Sequence, residues 1–131
     1  MKKKYIAVVL FLAVILATSI AYALNVTLGW TAVADDGNDV ASGPATRYDL
    51  RYSIHPITND NFASAIQIPT GAPKAPGSFE EYSFDLPDIN THYYFAIKTY
   101  DEVDNESALS NLAEADFFVP APVANLRVLK Q

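Results

Sequence analysis

The stretch "THYYFAIKTY", Thr91 to Tyr100, decides the fold that this sequence predicts. Tyr93, Phe95 and Ile97 occupy every second position, and this period of two is typical of a β-strand with one face in a core. Aromatic and β-branched residues, which favour strands, make up most of the stretch. It therefore predicts a strand whose inner face carries Tyr93, Phe95 and Ile97.

Three more stretches show the same alternation: "VTLGW" from Val26, "RYDLRYS" from Arg47 and "EYSFDL" from Glu81. Their predicted core faces carry Val26, Leu28, Trp30, Tyr48, Leu50, Tyr52, Tyr82, Phe84 and Leu86. Turn-forming runs such as "DDGND", "SGP", "PTGAPKAPGS" and "DEVDN" separate them. No long amphipathic helix is predicted, although "PITNDNFASA" has room for one helical turn. The pattern predicts an all-β antiparallel sandwich.

These stretches together resemble a bacterial fibronectin type III domain between about Val26 and Phe117. The resemblance rests on the tryptophan of "VTLGW", on the Y-x-L-x-Y pattern of "YDLRY", and on the T-x-Y-x-F-x-I pattern of "THYYFAI". It implies an immunoglobulin-like sandwich with strands A, B and E in one sheet and C, C′, F and G in the other. It also implies that the Tyr93 hydroxyl bonds back to the backbone of the E–F corner, and that the domain is a non-catalytic spacer, adhesion module or binding scaffold.

The first 23 residues resemble a signal peptide. Three lysines precede an apolar run from Tyr5 to Ala23, which ends in the small-residue pattern Ala21-Tyr22-Ala23. This arrangement predicts export and cleavage after Ala23, with the periplasm, the cell surface or the medium as the destination. The alternative is a retained membrane anchor, and the leader is the only segment for which we expect membrane contact. We therefore expect a domain over residues 24–119 and a tail over residues 120–131.

Composition excludes several functions. Loss of the leader leaves six Lys and Arg residues against fifteen Asp and Glu residues, a net charge of −9. Such a surface repels nucleic acids. The chain has no cysteine for a disulfide, a thiolate metal site or a thiol nucleophile. His55 and His92 are expected to face solvent, and no catalytic motif is present, so we do not expect an enzyme.

The acidic loops are the candidate metal site. In the fibronectin arrangement, the B–C and F–G loops lie at the same pole of the sandwich. Ca²⁺ binds six to eight carboxylate and carbonyl oxygens, and the candidate ligands in these loops are Asp35, Asp36, Asp39, Asp101 and Asp104. The alternative is a solvated acidic tip whose charges are screened by salt. No other cofactor is expected.

Two tyrosines are candidate contacts for a partner. Tyr94 and Tyr100 alternate with the core residues and should face outward. Exposed aromatic rings can stack on sugars or on a protein partner. Alternatively, the two tyrosines form ordinary cross-strand pairs on the face of a sheet.

The domain is expected to lack its strand A, because only Leu24 and Asn25 separate the cleavage site from strand B. The tail "VPAPVANLRVLKQ" resembles such a strand, with Leu126 and Val128 on one face and Arg127 between them. Three arrangements are open: addition to another molecule by β-augmentation, parallel pairing within the same molecule, or a flexible tail.

The sequence thus predicts an exported, non-catalytic interaction or spacer domain that binds a protein or a cell-surface partner. One alternative is a structural subunit that assembles with copies of itself through the tail. A second alternative is a carbohydrate-binding accessory domain.

Overall fold

A computed structural model describes residues 24–88 and 90–130. The predicted signal peptide, residues 1–23, lies outside the described residues, as do Ile89 and Gln131. One 3₁₀ turn occurs at Phe62–Ser64. The strands are β1 (Leu24–Thr31), β2 (Ala34–Asp36), β3 (Asp39–Pro44), β4 (Arg47–Ser53), β5 (Ile66–Ile68), β6 (Phe79–Leu86), β7 (His92–Tyr100) and β8 (Ala113–Asp116).

The strands form an open sandwich, which confirms the all-β prediction. One sheet contains β1 and β6, and the other has the order β5-β4-β7-β8. All pairs are antiparallel. This order is the one that the resemblance implies, with β1 and β6 as strands B and E and with β5, β4, β7 and β8 as C′, C, F and G. Within residues 24–88 and 90–130, β1 pairs with β6 alone, so the position of strand A is empty there.

The core lies between the two sheets. Leu50, Tyr93 and Phe95 are buried in it, together with residues of β1, β5 and β6. Trp30, Tyr52 and Ile97 pack against this cluster and are only partly buried. The buried ring of Tyr48 meets the indole of Trp30 edge to face, with ring centroids 5.3 Å apart, a favourable aromatic geometry.

The Tyr93 side chain ties the β6–β7 corner to the core. Its hydroxyl donates a hydrogen bond to the Asp88 carbonyl (3.1 Å) and accepts one from the Asp88 N–H (3.2 Å). The ring is 1% exposed. The chain therefore makes the corner hydrogen bond that the fibronectin resemblance implies.

The "DDGND" run forms the end of a hairpin rather than a simple loop. β2 and β3 pair around Gly37, with Asp36 opposite Asp39. Gly37 has a φ of 58°, a left-handed conformation that glycine adopts without steric cost. The Ser42 hydroxyl accepts a hydrogen bond from the Asp36 N–H (2.9 Å) and donates one to the Asp39 carbonyl (2.7 Å). These contacts close a two-residue turn that alternation alone did not predict.

A second apolar cluster covers the outer face of β7. Phe62, in the 3₁₀ turn, is buried there with Ile57 and Ala96. The Arg51 guanidinium and the Lys98 ammonium each lie 5.0 Å from the centroid of the Phe62 ring, a cation–π distance. In the described part of the chain, no helix has the length and apolar character needed to cross a membrane.

Candidate functional site

The main cavity is a groove along the open side of the sandwich, between β1 and the β7–β8 edge. It has a volume of about 700 Å³. Its apolar wall includes Leu28 and Trp30 from β1, Phe95 and Ile97 from β7, and Ala113 from β8. The groove is open because one sheet has two strands and the other has four, so part of the inner face of β7 has no strand opposite it.

A buried carboxylate lies behind the Trp30 end of the groove. Glu80 accepts a hydrogen bond from the Tyr48 hydroxyl (2.9 Å) and another from the Lys74 N–H (2.8 Å). Burial raises the pKa of Tyr48 to about 12. The Trp30 Nε1 atom is buried and makes no hydrogen bond of normal geometry to the described residues. It nevertheless lies near the Tyr48 hydroxyl, and this proximity offsets part of the rise in the pKa of Tyr48.

Acidic side chains form the rim at one end of the groove. Asp35, Asp101 and Glu106 line it. The pKa of Asp35 is raised to about 6, first by a hydrogen bond with Glu102 and then by desolvation and by the neighbouring negative charges. The hairpin and the β7–β8 loop therefore meet at one pole, as the fibronectin arrangement implies.

The candidate calcium ligands of the β7–β8 loop are engaged in local contacts. Asp101 accepts hydrogen bonds from the Asn105 N–H (2.7 Å), the Asn105 side-chain amide (2.6 Å) and the Val103 N–H (3.0 Å). The carboxylate of Asp104 pairs with Arg47 at 2.9 Å. These contacts order the loop and occupy oxygens that a cation would need.

The candidate ligands of the hairpin are arranged differently. Asp39 accepts a hydrogen bond from the Ala41 N–H (3.0 Å), and Asp36 is exposed at the end of β2. Asp35 faces Glu102 across the rim. Among residues 24–88 and 90–130, no group of three or more His, Cys, Asp or Glu side chains is placed to hold a metal ion. Calcium binding stays a prediction, and the melting temperature measured with added Ca²⁺ tests it.

Other side chains cover the two candidate contact tyrosines. The guanidinium carbon of Arg47 lies 3.5 Å from the centroid of the Tyr100 ring, and the Tyr100 hydroxyl donates a hydrogen bond to Glu106. The ring of Tyr94 packs 4.7 Å from that of His92 and borders the Phe62 cluster. Tyr94 lies on the outer face of β7, whereas Tyr100, at the end of the strand, also lines the acidic end of the groove. Each has a neighbour against its ring.

The second candidate surface is the tail. The Val119 N–H donates to the Asn90 side-chain oxygen (3.1 Å), which anchors the chain beside the β6–β7 corner. Residues 120–130 contain no strand and are exposed. Leu126 and Val128 are 90% and 76% exposed, so the tail presents apolar side chains to water.

The fold defines an open β-sandwich domain with an apolar groove along one strand edge. The chain is similar to one segment of several mammalian proteins. It is 35% identical to calcium-activated chloride channel regulator 1 of horse over 102 residues, which are 72% of this chain and 11% of that protein. It is 32% identical to the human regulator 4 over 103 residues (73% and 11%), and 33% identical to the human regulator 2 over 114 residues (73% and 12%).

The chain spans about a ninth of the length of the curated relatives that it matches. No protein-family model matches it. No solved structure matches it significantly. The similarity therefore covers a single segment of about 100 residues in much longer proteins.

Proposed function

We propose that this chain is an exported, non-catalytic interaction domain of the fibronectin type III type, which binds an extended segment of a protein partner in the groove. The observation that carries the proposal is the coincidence of two features. An apolar groove of about 700 Å³ runs beside a strand, β1, whose second edge has no partner within the described residues. A peptide strand on that edge gains backbone hydrogen bonds, and its alternate side chains enter the groove.

The composition of the groove supports a peptide ligand. Its apolar part, formed by residues such as Leu28 and Ile97, suits aliphatic side chains. The acidic rim suits a basic residue at one end of the ligand. The relatives are named as regulators of a channel, and binding of a partner protein fits such a role; for this chain that role is part of the proposal.

A carbohydrate ligand has less support. Sugar rings stack on open aromatic faces, whereas the Arg47 guanidinium lies on the ring of Tyr100 and His92 packs against Tyr94. Arrays of glycans provide a direct comparison, because binding there without peptide binding would favour the carbohydrate alternative.

Selection from a random peptide library tests the proposed function. Ala108 is exposed and lines the groove, so Ala108→Arg should block it with little effect on folding. Ala41 is exposed on the hairpin, and Ala41→Arg is the matched control. We expect the unchanged chain and the control to enrich peptides with alternating apolar residues, and the Ala108 variant to enrich none. No enrichment, or equal enrichment on all three proteins, would refute the proposal.

A further inference from the structure

The free edge of β1 and the groove are parts of one acceptor surface. β1 pairs with β6 along its whole length, from Leu24 opposite Leu86 to Thr31 opposite Phe79. Its other edge has no strand partner among residues 24–88 and 90–130. Unpaired strand edges readily accept another strand. An added strand would place every second side chain beside Leu28 and Trp30, where the groove is open.

The tail of this chain has the features of a donor strand. Leu126 and Val128 are separated by one residue, so an extended tail presents both on the same face. Both side chains are exposed to water, and burial of such apolar surface is favourable. In the described structure the tail has no strand partner of its own.

The direction of the chain prevents a molecule from filling its own acceptor surface in the antiparallel sense. β8 ends at Asp116, opposite His92, and β1 begins at Leu24, opposite Leu86. Both points lie at the β6–β7 corner, whereas an antiparallel strand on β1 must start at the Thr31 end. Eight residues of strand span about 25 Å, and the five residues from Val119 to Val123 span about 17 Å at most.

We propose that the tail of one copy adds to β1 of another copy, with residues 123–130 antiparallel to residues 24–31. Leu126 then lies opposite Leu28 and enters the groove, and Val128 lies opposite Val26. The inference rests on the proposed function, since it identifies the peptide ligand of the groove as a segment of a second copy of this chain. The donor and acceptor surfaces differ, so the contact repeats head to tail and forms an open chain of molecules.

The charges on the outer face fit this register. Arg127 lies opposite Thr27, whose partner on β6 is Ser83. Glu81 and Asp85 flank Ser83 on the same face of β6, because they are two residues away on either side. The intervening side chain of Thr27 is short. A long arginine side chain can therefore reach over it to a carboxylate.

Two single substitutions in the tail test the inference. Leu126→Asp places a charge on the face that enters the groove, and Leu129→Asp makes the same change on the opposite face. Leu129 is 82% exposed, close to the 90% of Leu126, so neither change should affect folding. In sedimentation, we expect the unchanged chain and the Leu129 variant to form larger species as concentration rises. We expect the Leu126 variant to stay monomeric.

Engineered cysteines test the register, because the chain has none of its own. Opposite residues of antiparallel strands have Cα atoms about 4.5 to 5.5 Å apart, a separation that a disulfide can bridge. A Thr27→Cys copy mixed with an Arg127→Cys copy should give a disulfide-linked pair. An Asp60→Cys copy, with its cysteine in the exposed loop before the 3₁₀ turn, should give little of the linked pair. Equal cross-linking of both pairs, or none, would overturn the register.

The outcomes separate this inference from the proposed function. A wild-type chain that stays monomeric at its highest soluble concentration refutes self-assembly, and so does assembly that survives Leu126→Asp or Ala108→Arg. If self-assembly is refuted but Ala108→Arg still abolishes the enrichment of peptides, the groove remains a binding site, and its ligand is a different protein. Failure of both experiments would refute the groove as a binding site altogether.

Discussion

At the scale of single residues, the hydroxyl of Tyr93 links the core to the β6–β7 corner. The aromatic ring is buried, and the polar end of the side chain both donates to and accepts from the backbone of Asp88. One side chain thereby contributes apolar burial to the core and holds a connection between two sheets. The alternation of Tyr93 with Phe95 and Ile97 predicts the buried ring, and the fibronectin resemblance implies the hydrogen bond.

Tyr93→Phe should lower the free energy of unfolding by about 1 kcal/mol, the usual contribution of a neutral hydrogen bond. Tyr52→Phe is the matched control, because the Tyr52 hydroxyl has no hydrogen-bond partner among the described residues and its ring packs against Tyr93. That control should change stability by less than about 0.5 kcal/mol. Denaturant titration measures both. Equal losses would show that the hydroxyl of Tyr93 has no special role.

The raised pKa of Asp35 leads us to expect an unusual pH dependence of stability. Its pKa is raised to about 6 in the folded chain, mainly by the hydrogen bond with Glu102, so the folded state binds a proton more tightly than the unfolded state does. Stability from this group is present below pH 4 and is lost as pH rises through 6. Asp35→Asn should therefore raise the melting temperature at pH 7.5 relative to wild type, and this gain should disappear at pH 4.

The control for lost charge is Asp60→Asn, in the exposed loop before the 3₁₀ turn, because Asp60 is not among the charges that act on Asp35. The pKa values of Asp101 and Glu106 are lowered in the folded chain, so the stability that these two groups contribute is lost as pH falls. The effect of Asp35 is therefore isolated by the difference in melting temperature between variant and wild type at each pH. A gain of the same size in both variants at pH 7.5 would mean that net charge, rather than the Asp35–Glu102 contact, is responsible.

At the scale of elements, the short 3₁₀ turn Phe62–Ser64 gives the outer face of β7 an apolar cover. Phe62 is buried against Ala96 and lies near two cationic side chains. The Arg51 guanidinium also donates hydrogen bonds to the carbonyls of Ala63 (2.9 Å) and Ala65 (3.2 Å). An irregular connection is thus held on the sheet by one aromatic side chain and one arginine.

Phe62→Ala should reduce the free energy of unfolding by about 3 kcal/mol, because it removes a buried aromatic ring and leaves a cavity. Phe118→Ala is the matched control, since Phe118 is 59% exposed, and it should cost less than about 0.5 kcal/mol. Chemical denaturation of the two variants makes the comparison. A loss below 1 kcal/mol for Phe62→Ala would mean that the connection is not held by this ring.

At the scale of the whole molecule, the asymmetry between a two-stranded and a four-stranded sheet produces the groove. β1 and β6 cannot cover the inner face of all four strands opposite them. Trp30 and Ile97 consequently remain partly buried, although their positions in the alternation assign them to the core. The same asymmetry leaves one edge of β1 without a partner in the described residues.

The export that the leader sequence predicts also belongs to this scale, and it gives a separate test. The chain recovered after secretion should begin at Leu24, because Ala21 and Ala23 supply the small residues that signal peptidase requires. Ala23→Phe should block cleavage, whereas Ala17→Phe, six residues upstream in the apolar run, should permit it. Mass spectrometry of the exported protein measures the N-terminus. Uncleaved wild-type protein in the membrane fraction would favour the anchor.

The sequence by itself determined the all-β class and the inward faces of the long strands, because period-two alternation depends only on local chain geometry. The order of the strands in the sheets came from the fibronectin resemblance, because alternation does not say which strands are neighbours. It did not predict the β2–β3 hairpin, which depends on the left-handed conformation of Gly37, or the burial of Phe62, whose neighbours are distant in the chain. The groove was also decided by tertiary structure alone. Its walls come from strands far apart in sequence, and a cavity exists only where packed elements leave space between them.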